Sequence, residues 1–393
     1  MIERMSRFEG VSLIGGFETP YRRHTDTDTL AQLTAAVVGV LAQCDVPHRA
    51  VDGLGVASFT LQPDHAIDFA WRAGFTTRWC MDDCLGGASG IDLLQHAARA
   101  IQSGDASVIV LVSGDHFGTS DFTALVENYN RATRSHLAPL NTGGPNPLFA
   151  MLTQRQMAAT GLQREDYGHL CIAQRQWASL NPQAVYRQPL NMEDYLASPM
   201  VADPLCRFDC VPVVSGANAL VMTADDHPLA KQARAKGRAS VSIRALRAIH
   251  NFDQQAGDGL RSGLHLIRDA LWADAGIGPE DADVISVYDD YPSMVLAQLD
   301  DLGFSPDHDL PALIAKQLAP RLLAVNTSGG QLSAGQAGAA GGMHGLTEMV
   351  TQLQHNAGAR QVDRARIAVA AGYGMVQYRY GMCANAVVLE RRA

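Results

Sequence analysis

Two phenols and two carboxyls crowd into four residues, Tyr288-Asp289-Asp290-Tyr291, directly after the apolar run Val284-Ile285-Ser286-Val287. A tyrosine hydroxyl can donate a hydrogen bond to an enolate oxygen, or take a hydroxyl proton once its pKa is lowered. The plainer fate of a tyrosine at a strand end is core packing. Adjacent acids on a strand end point to opposite sides, so only one of Asp289 and Asp290 can face a pocket. His116 follows the apolar run 108–114, at the carboxyl end of a strand, where α/β sheets bind ligands. His344 sits at a helix start, where the positive helix end disfavours imidazolium and favours a neutral ring. Its plainer reading is capping or packing. Cys80/Cys84 and Cys206/Cys210 are spaced four apart, wider than a compact zinc knuckle, and no metal site is expected. The turn Gly86-Gly87-Ala88-Ser89-Gly90 is not G-x-G-x-x-G, and no P-loop occurs, so the glycines do not indicate a nucleotide cofactor.

These groups need a scaffold, and the chain spells one twice. Gly86–Gly90 leads into 91–104, where Ile91, Leu94, Ala98 and Ile101 recur at helical spacing and Gly104 ends the helix. The run 108–114, VIVLVSG, then reads as a strand buried on both faces. The second half repeats this pattern. Gly341-Gly342 opens a helical stretch, and 366–374, RIAVAAGYG, forms a second buried strand. VDGLGVAS at 51 matches DADVISVY at 281, which suggests two copies of one βαβ-rich unit some 230–260 residues apart. Between them, 118–205 is different in character. Polar helical segments such as 121–134 and 166–181 alternate with Pro-, Asn- and Gly-rich loops, as expected of an insertion riding on the first half.

Composition limits what this scaffold can be. With 47% hydrophobic and 18% charged residues over 393 positions, the chain is not disordered. Its 31 Lys+Arg against 40 Asp+Glu give −9, which argues against nucleic-acid binding. No stretch is long and apolar enough for a membrane span, and the N-terminus lacks a secretory h-region. The seven cysteines, dispersed and odd in number, point to reduced thiols, and a cytoplasmic location is expected.

The motifs GGASG (86–90), DPLCRFDCVPVVSGANALVM (203–222), YDDYPSM (288–294), NTSGGQLSAG (326–335) and the terminal GYG…ANAVVLER stand in the order found in the thiolase superfamily. Over essentially its whole length the chain resembles the sterol-carrier-protein-type thiolases and thiolase-like proteins. The resemblance implies a thiolase-like α/β fold of two similar halves, 1–240 and 241–393. Each half would be a mixed five-stranded sheet between helices, in an α/β/α/β/α arrangement with the insertion 118–205 in the first. It also implies a site from which the usual nucleophile is missing. The family's nucleophilic cysteine falls on Gly87, its two histidines on Tyr288 and Gln336, and its second cysteine around 371–373, where Tyr373 stands. Asp289 occupies a family-typical position and would be a structural acceptor.

In thiolase-like steroid side-chain aldolases, tyrosines replace the histidines as acid/base groups, and a retro-aldol cleavage needs no acyl-enzyme. On this resemblance Tyr288 and Gln336 are the expected catalytic groups, joined by His344 from its place at a helix start. Gly87, Asn326, Gly330 and Tyr373 would line the substrate, joined by His116 from its place at a strand end, with the amides of the 326–330 loop available to an oxyanion. The leading expectation is carbon–carbon cleavage, or cysteine-free acyl transfer, on an acyl-CoA or related thioester. That thioester is the substrate, and no cofactor is expected. One alternative is a catalytically degenerate subunit that scaffolds a partner. Another is a Claisen thiolase using Cys84, which lies three residues before Gly87. A homodimer is implied, as is a small OB-fold partner with a zinc ribbon.

Overall fold

The computed structural model describes residues 7–61, 64–118, 144–254, 257–377 and 380–392. In chain order the strands of the first half are β1 (Val11–Glu18), β2 (Gly53–Ala57), β3 (Trp79–Asp83), β4 (Val108–Asp115), β5 (Met200–Ala202), β6 (Leu205–Cys206) and β7 (Gly216–Ala224). Those of the second are β8 (Ser240–His250), β9 (Val284–Val287), β10 (Ile367–Gln377) and β11 (Tyr380–Arg392). The first-half helices are α1 (Thr29–Cys44), α2 (His65–Arg72), α3 (Ser89–Ser103), α4 (Pro145–Thr160), α5 (Arg164–Ser179), α6 (Met192–Leu196) and α7 (Pro228–Ala235). They are followed by α8 (Leu264–Ala275), α9 (Pro292–Asp301), α10 (Leu310–Leu313), α11 (Gly330–Ala334) and α12 (Gly341–Leu353).

Among the described residues the main ladder runs β3-β2-β4-β7-β1-β8-β11-β10-β9. The parallel trio β3, β2 and β4 continues into antiparallel β7 and β1. Across the centre, antiparallel β8, β11 and β10 lead to β9, parallel to β10. The second half is thus the first in mirror order, as the repeated sequence pattern led one to expect. At the centre of the sheet the halves pair strand to strand at Ser12–Ser242 and Leu13–Val241. Among the described residues the second half has four of the five expected strands. Its fifth place holds a single bridge, Val325 to Ile285, because Asn326 turns the chain into a left-handed conformation (φ 50°) and ends the extended run.

Both runs read as doubly buried strands have that structure. In β4, Val108, Val110 and Val112 face one apolar cluster with α1 and α2, while Ile109 and Leu111 face another around α3 and α12. In β10, Ala368 and Ala370 turn to the α3/α12 cluster, and Val369 and Ala371 to a third with α8 and α9. This yields the helix–sheet–helix–sheet–helix layering. The inner helices meet at glycines. A Cβ on Gly90 would lie 2.2 Å from the Gly342 carbonyl oxygen, so only a hydrogen there lets the start of α3 abut the start of α12.

Between β4 and β7 the described part of the insertion contributes α4, α5, α6 and the β5–β6 pair; the expected helix at 121–134 lies outside the described residues. Helix α4 is tied to α9 by Thr153 Oγ1 donating to Ser293 Oγ (2.9 Å) and Gln156 Nε2 donating to the Ser293 carbonyl (3.1 Å).

Candidate active site

Strand β9 stops at Val287, and Pro292 opens α9 four residues after Tyr288. The intervening chain is clamped by Gln298 of α9. Its Nε2 donates to the Tyr288 carbonyl (2.6 Å), and its Oε1 accepts the Tyr288 amide (3.2 Å). With its backbone fixed, Tyr288 lays its ring against the start of α3. A Cβ built on Gly87 would fall 2.4–2.5 Å from Cε2 and Cζ of that ring and 2.3 Å from the Tyr373 carbonyl oxygen. The ring therefore fills the space that a cysteine side chain at 87 would need.

The Tyr288 hydroxyl belongs to a three-residue network. It donates to Asp290 Oδ2 (3.1 Å), and Gln336 Nε2 donates both to the Tyr288 oxygen (2.9 Å) and to Asp290 Oδ1 (2.8 Å). Gln336 reaches this point because its backbone pairs with the 212–214 segment, accepting from Val214 N and donating to the Pro212 carbonyl. Burial pushes the Asp290 carboxyl up to about 7, and the negative Asp289 beside it adds to the effect; the bonds from Tyr288 and Gln336 only partly oppose them. A half-buried carboxylate poised near neutrality and bonded to a phenol can relay a proton.

Asp289 points the other way and has a different task. Its carboxylate accepts from Gln331 N (2.9 Å), Leu332 N (3.3 Å) and Gln174 Nε2 (2.8 Å), holding the start of α11. Burial raises it to about 6 despite those bonds. The alternate-sides argument from sequence therefore holds, and the residue facing Tyr288 is Asp290, to which the sequence reading gave no role.

Tyr291 and Tyr373 pack with Tyr288, Phe149, Leu205 and Met294 in one apolar cluster, so α4 and β6 of the insertion roof the site. The Phe149 and Tyr291 rings stack at 4.3 Å, and Tyr291 donates to Asn146 Oδ1 (2.6 Å). Gly87, Tyr288, Gln331 and His344 also line a cavity of about 10 Å³, space for one water.

The remaining expected site residues divide. His344 borders that cavity, but both ring nitrogens are engaged: Nδ1 with Glu18 Oε2 (2.5 Å) and the Tyr21 hydroxyl (3.2 Å), Nε2 with Ser328 Oγ (2.7 Å). The expectation of a neutral imidazole is corrected. Burial, the largest single influence, would lower its pKa, but Glu18 together with Asp289 and Glu348 outweighs it and the net shift is upward. Asn326 is buried and works as a brace, its Oδ1 accepting from Val287 N (3.0 Å) and Ser286 Oγ (3.3 Å). Gly330 (φ 60°) faces Asp289 and Gln174, not the Tyr288 hydroxyl; a Cβ there would sit 2.0 Å from Asp289 Oδ2.

Three of the loop amides expected to serve an oxyanion are already engaged. Asn326 N donates to the Ile285 carbonyl, Gly329 N to the Asn326 carbonyl and Gly330 N to Ser328 Oγ, and just beyond the loop Gln331 N and Leu332 N donate to Asp289. His116 stands apart. It is held by Ser215 Oγ at Nδ1 (3.2 Å) and by Thr29 Oγ1 at its amide (3.0 Å), and it does not line the Tyr288 cavity. The neighbouring Asp115 is a buried strut, accepting from Ser58, Phe59, Thr60 and Ala339.

The Claisen alternative needs a thiolate at Cys84. Desolvation and the acids Asp83, Asp82 and Asp92 push that thiol up instead, which disfavours the nucleophilic form. Cys210, packed against the Tyr288 cluster, is pushed to about 12 by burial and by Asp209, Cys206 and Asp290.

Residues 268–390 match the family described as thiolase C-terminal domain-like. The 17-hydroxy-3-oxo-4-pregnene-20-carboxyl-CoA lyase of Mycobacterium tuberculosis is 30% identical over 384 residues, covering 93% of this chain and 96% of that protein. The steroid side-chain-cleaving aldolase of Thermomonospora curvata is 27% identical, covering 94% and 97%. The solved Ltp2–ChsH2(DUF35) aldolase superposes with a TM-score of 0.82 at 23% identity, covering 97% of each chain. The chain is therefore a member of the thiolase superfamily, in its sterol-carrier-protein-type thiolase-like branch.

Proposed function

We propose that the protein is a carbon–carbon lyase that cleaves a β-hydroxyacyl-CoA by retro-aldol chemistry at Tyr288. The observation that carries this reading is the Tyr288 hydroxyl, bonded to a carboxyl near pKa 7 and to Gln336, with its ring in the space a nucleophile would occupy. The substrate hydroxyl gives its proton to the Tyr288 oxygen while Tyr288 passes its own to Asp290. The carbon–carbon bond then breaks, leaving a ketone or aldehyde on one fragment and a thioester enolate on the other. The enolate carbon takes up a proton and becomes the shorter acyl thioester. One proton has moved from oxygen to carbon, so the reaction balances without a redox cofactor or an acyl-enzyme.

The relatives named as a CoA lyase and a steroid side-chain-cleaving aldolase support both the reaction and a steroid-type CoA thioester as substrate class. The aldolase structure that pairs Ltp2 with ChsH2(DUF35) supports a second protein subunit, for which a small OB-fold protein with a zinc ribbon is our candidate. Among the described residues strand β3 is paired on one side only and is half-exposed along its length, which fits addition of a second copy at that edge. No helix among the described residues is long and apolar enough to cross a membrane. We assign the protein to the cytoplasm, an assignment favoured by its seven unpaired thiols.

Tyr288→Phe keeps the ring and removes the hydroxyl. Loss of a general acid/base lowers turnover by roughly 10²–10⁴, whereas a lost hydrogen bond costs about 1 kcal/mol of stability. Release of the carbonyl fragment from a β-hydroxyacyl-CoA, followed chromatographically with the partner present, should collapse in a variant that still folds. Full activity in Tyr288→Phe removes Tyr288 from the mechanism. A wild type inert with its partner would favour the scaffold role instead.

A further inference from the structure

A second concavity opens at the other pole of the β9–α9 unit. Tyr288 follows the carboxyl end of β9, whereas the approach to its amino end, Pro279 to Ala282, forms one wall of a cavity of about 630 Å³. The loop that leaves α9, from Gly303 to Asp307, forms a second wall. Helix α10 and the single turn of π-helix that continues it (Ile314–Leu318) form the third. Concavities of roughly 300–1,000 Å³ are typical of small-molecule sites, and π-turns are frequent beside them. Among the described residues none lines both this cavity and the one beside Tyr288.

Floor and rim differ in character. Phe304 and Leu313 are buried, and with Pro279, Ala312 and Leu323 they make the floor apolar. The rim carries three exposed acids, Glu280, Asp307 and Asp309, against one cation among the described lining residues, Lys316. One Asp309 oxygen caps α10 by accepting from Ala312 N (2.9 Å). The neighbouring basic side chains are taken up elsewhere, Arg268 by Asp269 (2.9 Å) and His308 by Asp300 (2.8 Å). A mouth lined by an excess of one charge over low-dielectric walls concentrates ligands of the opposite sign.

Below the rim lies Ser305, only 4% exposed, whose hydroxyl has no hydrogen-bond partner among the described residues. Buried hydroxyls are nearly always paired, and an unpaired one weakens the fold until a polar group reaches it. Because Ser305 lines the cavity, a ligand there can supply that group.

We propose that this cavity is a binding site for a small organic amine, its apolar body on Phe304, Leu313 and Leu323 and its ammonium head donating to Ser305, Glu280 and Asp307. The test is calorimetric titration of the whole protein with phenylbutylamine, phenylbutanol and phenylbutanoate, which share a body and differ in the head. The amine should bind wild type roughly tenfold or more tightly than the alcohol, with the carboxylate weakest. Glu280→Gln/Asp307→Asn, at two exposed positions, should weaken the amine roughly fivefold and leave the alcohol unchanged. Ala312→Trp, which fills the floor, should abolish amine binding. Equal affinities for the three heads would overturn the proposal, as would the absence of saturable amine binding by wild type at millimolar concentration. Undiminished amine binding in Ala312→Trp would place the ligand elsewhere and also overturn it. Should Ala312→Trp lose its cooperative urea transition, the charge variant decides alone, and unchanged amine affinity there overturns the site.

Discussion

Adding one methyl group at Gly87 tests the site without any substrate. In Gly87→Ala the new Cβ would lie 2.4–2.5 Å from two ring carbons of Tyr288 and 2.3 Å from the Tyr373 carbonyl oxygen. Neither obstacle is the loose end of a flexible chain. The ring is fixed by its hydroxyl bonds to Asp290 and Gln336, and the carbonyl belongs to β10. Overpacking of this kind costs roughly 1–3 kcal/mol. If the ring swings away it also gives up its bonds, about 1 kcal/mol each, so a total near ~3 kcal/mol is expected. Equilibrium urea denaturation measures this directly. Because Tyr288 supplies only part of the obstruction, Gly87→Ala should cost about 1 kcal/mol less in a Tyr288→Ala background, a coupling that a double-mutant cycle resolves. A Gly87→Ala protein within ~0.5 kcal/mol of wild type, the range of inert surface changes, would show that the ring does not rest on Gly87. The account of the missing nucleophile would then fail.

Three further outcomes are expected. Asp290 is raised from 3.8 to about 7 in the folded protein; between those values the native state keeps a proton that the unfolded chain releases, so stability falls as pH rises through that window. Asp290→Asn should therefore be more stable than wild type at pH ~8, by at most a few kcal/mol. The gap should close toward pH ~4, and wild-type kcat/KM should climb as pH passes about 7; a pH-independent stability difference would refute the assignment. Incubation with an acyl-CoA should leave the intact mass unchanged and Cys84→Ser fully active, whereas an acyl adduct mapped to Cys84 would revive the Claisen alternative. Light scattering should give twice the chain mass of 42.1 kDa; a monomer at working concentration would count against pairing at β3.

Much of the scaffold was legible because it depends on local periodicity. Ile91, Leu94, Ala98 and Ile101 are all buried along α3, and Gly104 ends it in the left-handed conformation. Runs 108–114 and 366–374 became central strands because unbroken small apolar residues suit a strand covered on both faces. Tyr288, Gln336 and Gly87 were found together because motif order carried them. The rest depended on contacts between distant residues. Glu18 reaches His344 across more than three hundred residues, and no local pattern announces that it will reverse the sign of an imidazole shift. The amides of the 326–330 loop looked available, but those of Asn326, Gly329 and Gly330 are spent on the Ile285 carbonyl, the Asn326 carbonyl and Ser328 Oγ. Asp290 was within reach of the alternate-sides argument, but choosing which acid faces the phenol required the direction of β9.

The short bridge at Val325 has a consequence for self-assembly. A sheet with two open ends can add copies at both and grow without limit. Here one terminus is closed from within the chain, since Ile285 donates to the Ala324 carbonyl (2.9 Å) and accepts from Asn326 (2.8 Å). Among the described strands of the main ladder, β3 is the one left to receive another strand. Addition there about a two-fold axis consumes the open edge on both copies, so association stops at a closed pair and cannot propagate into a fibre.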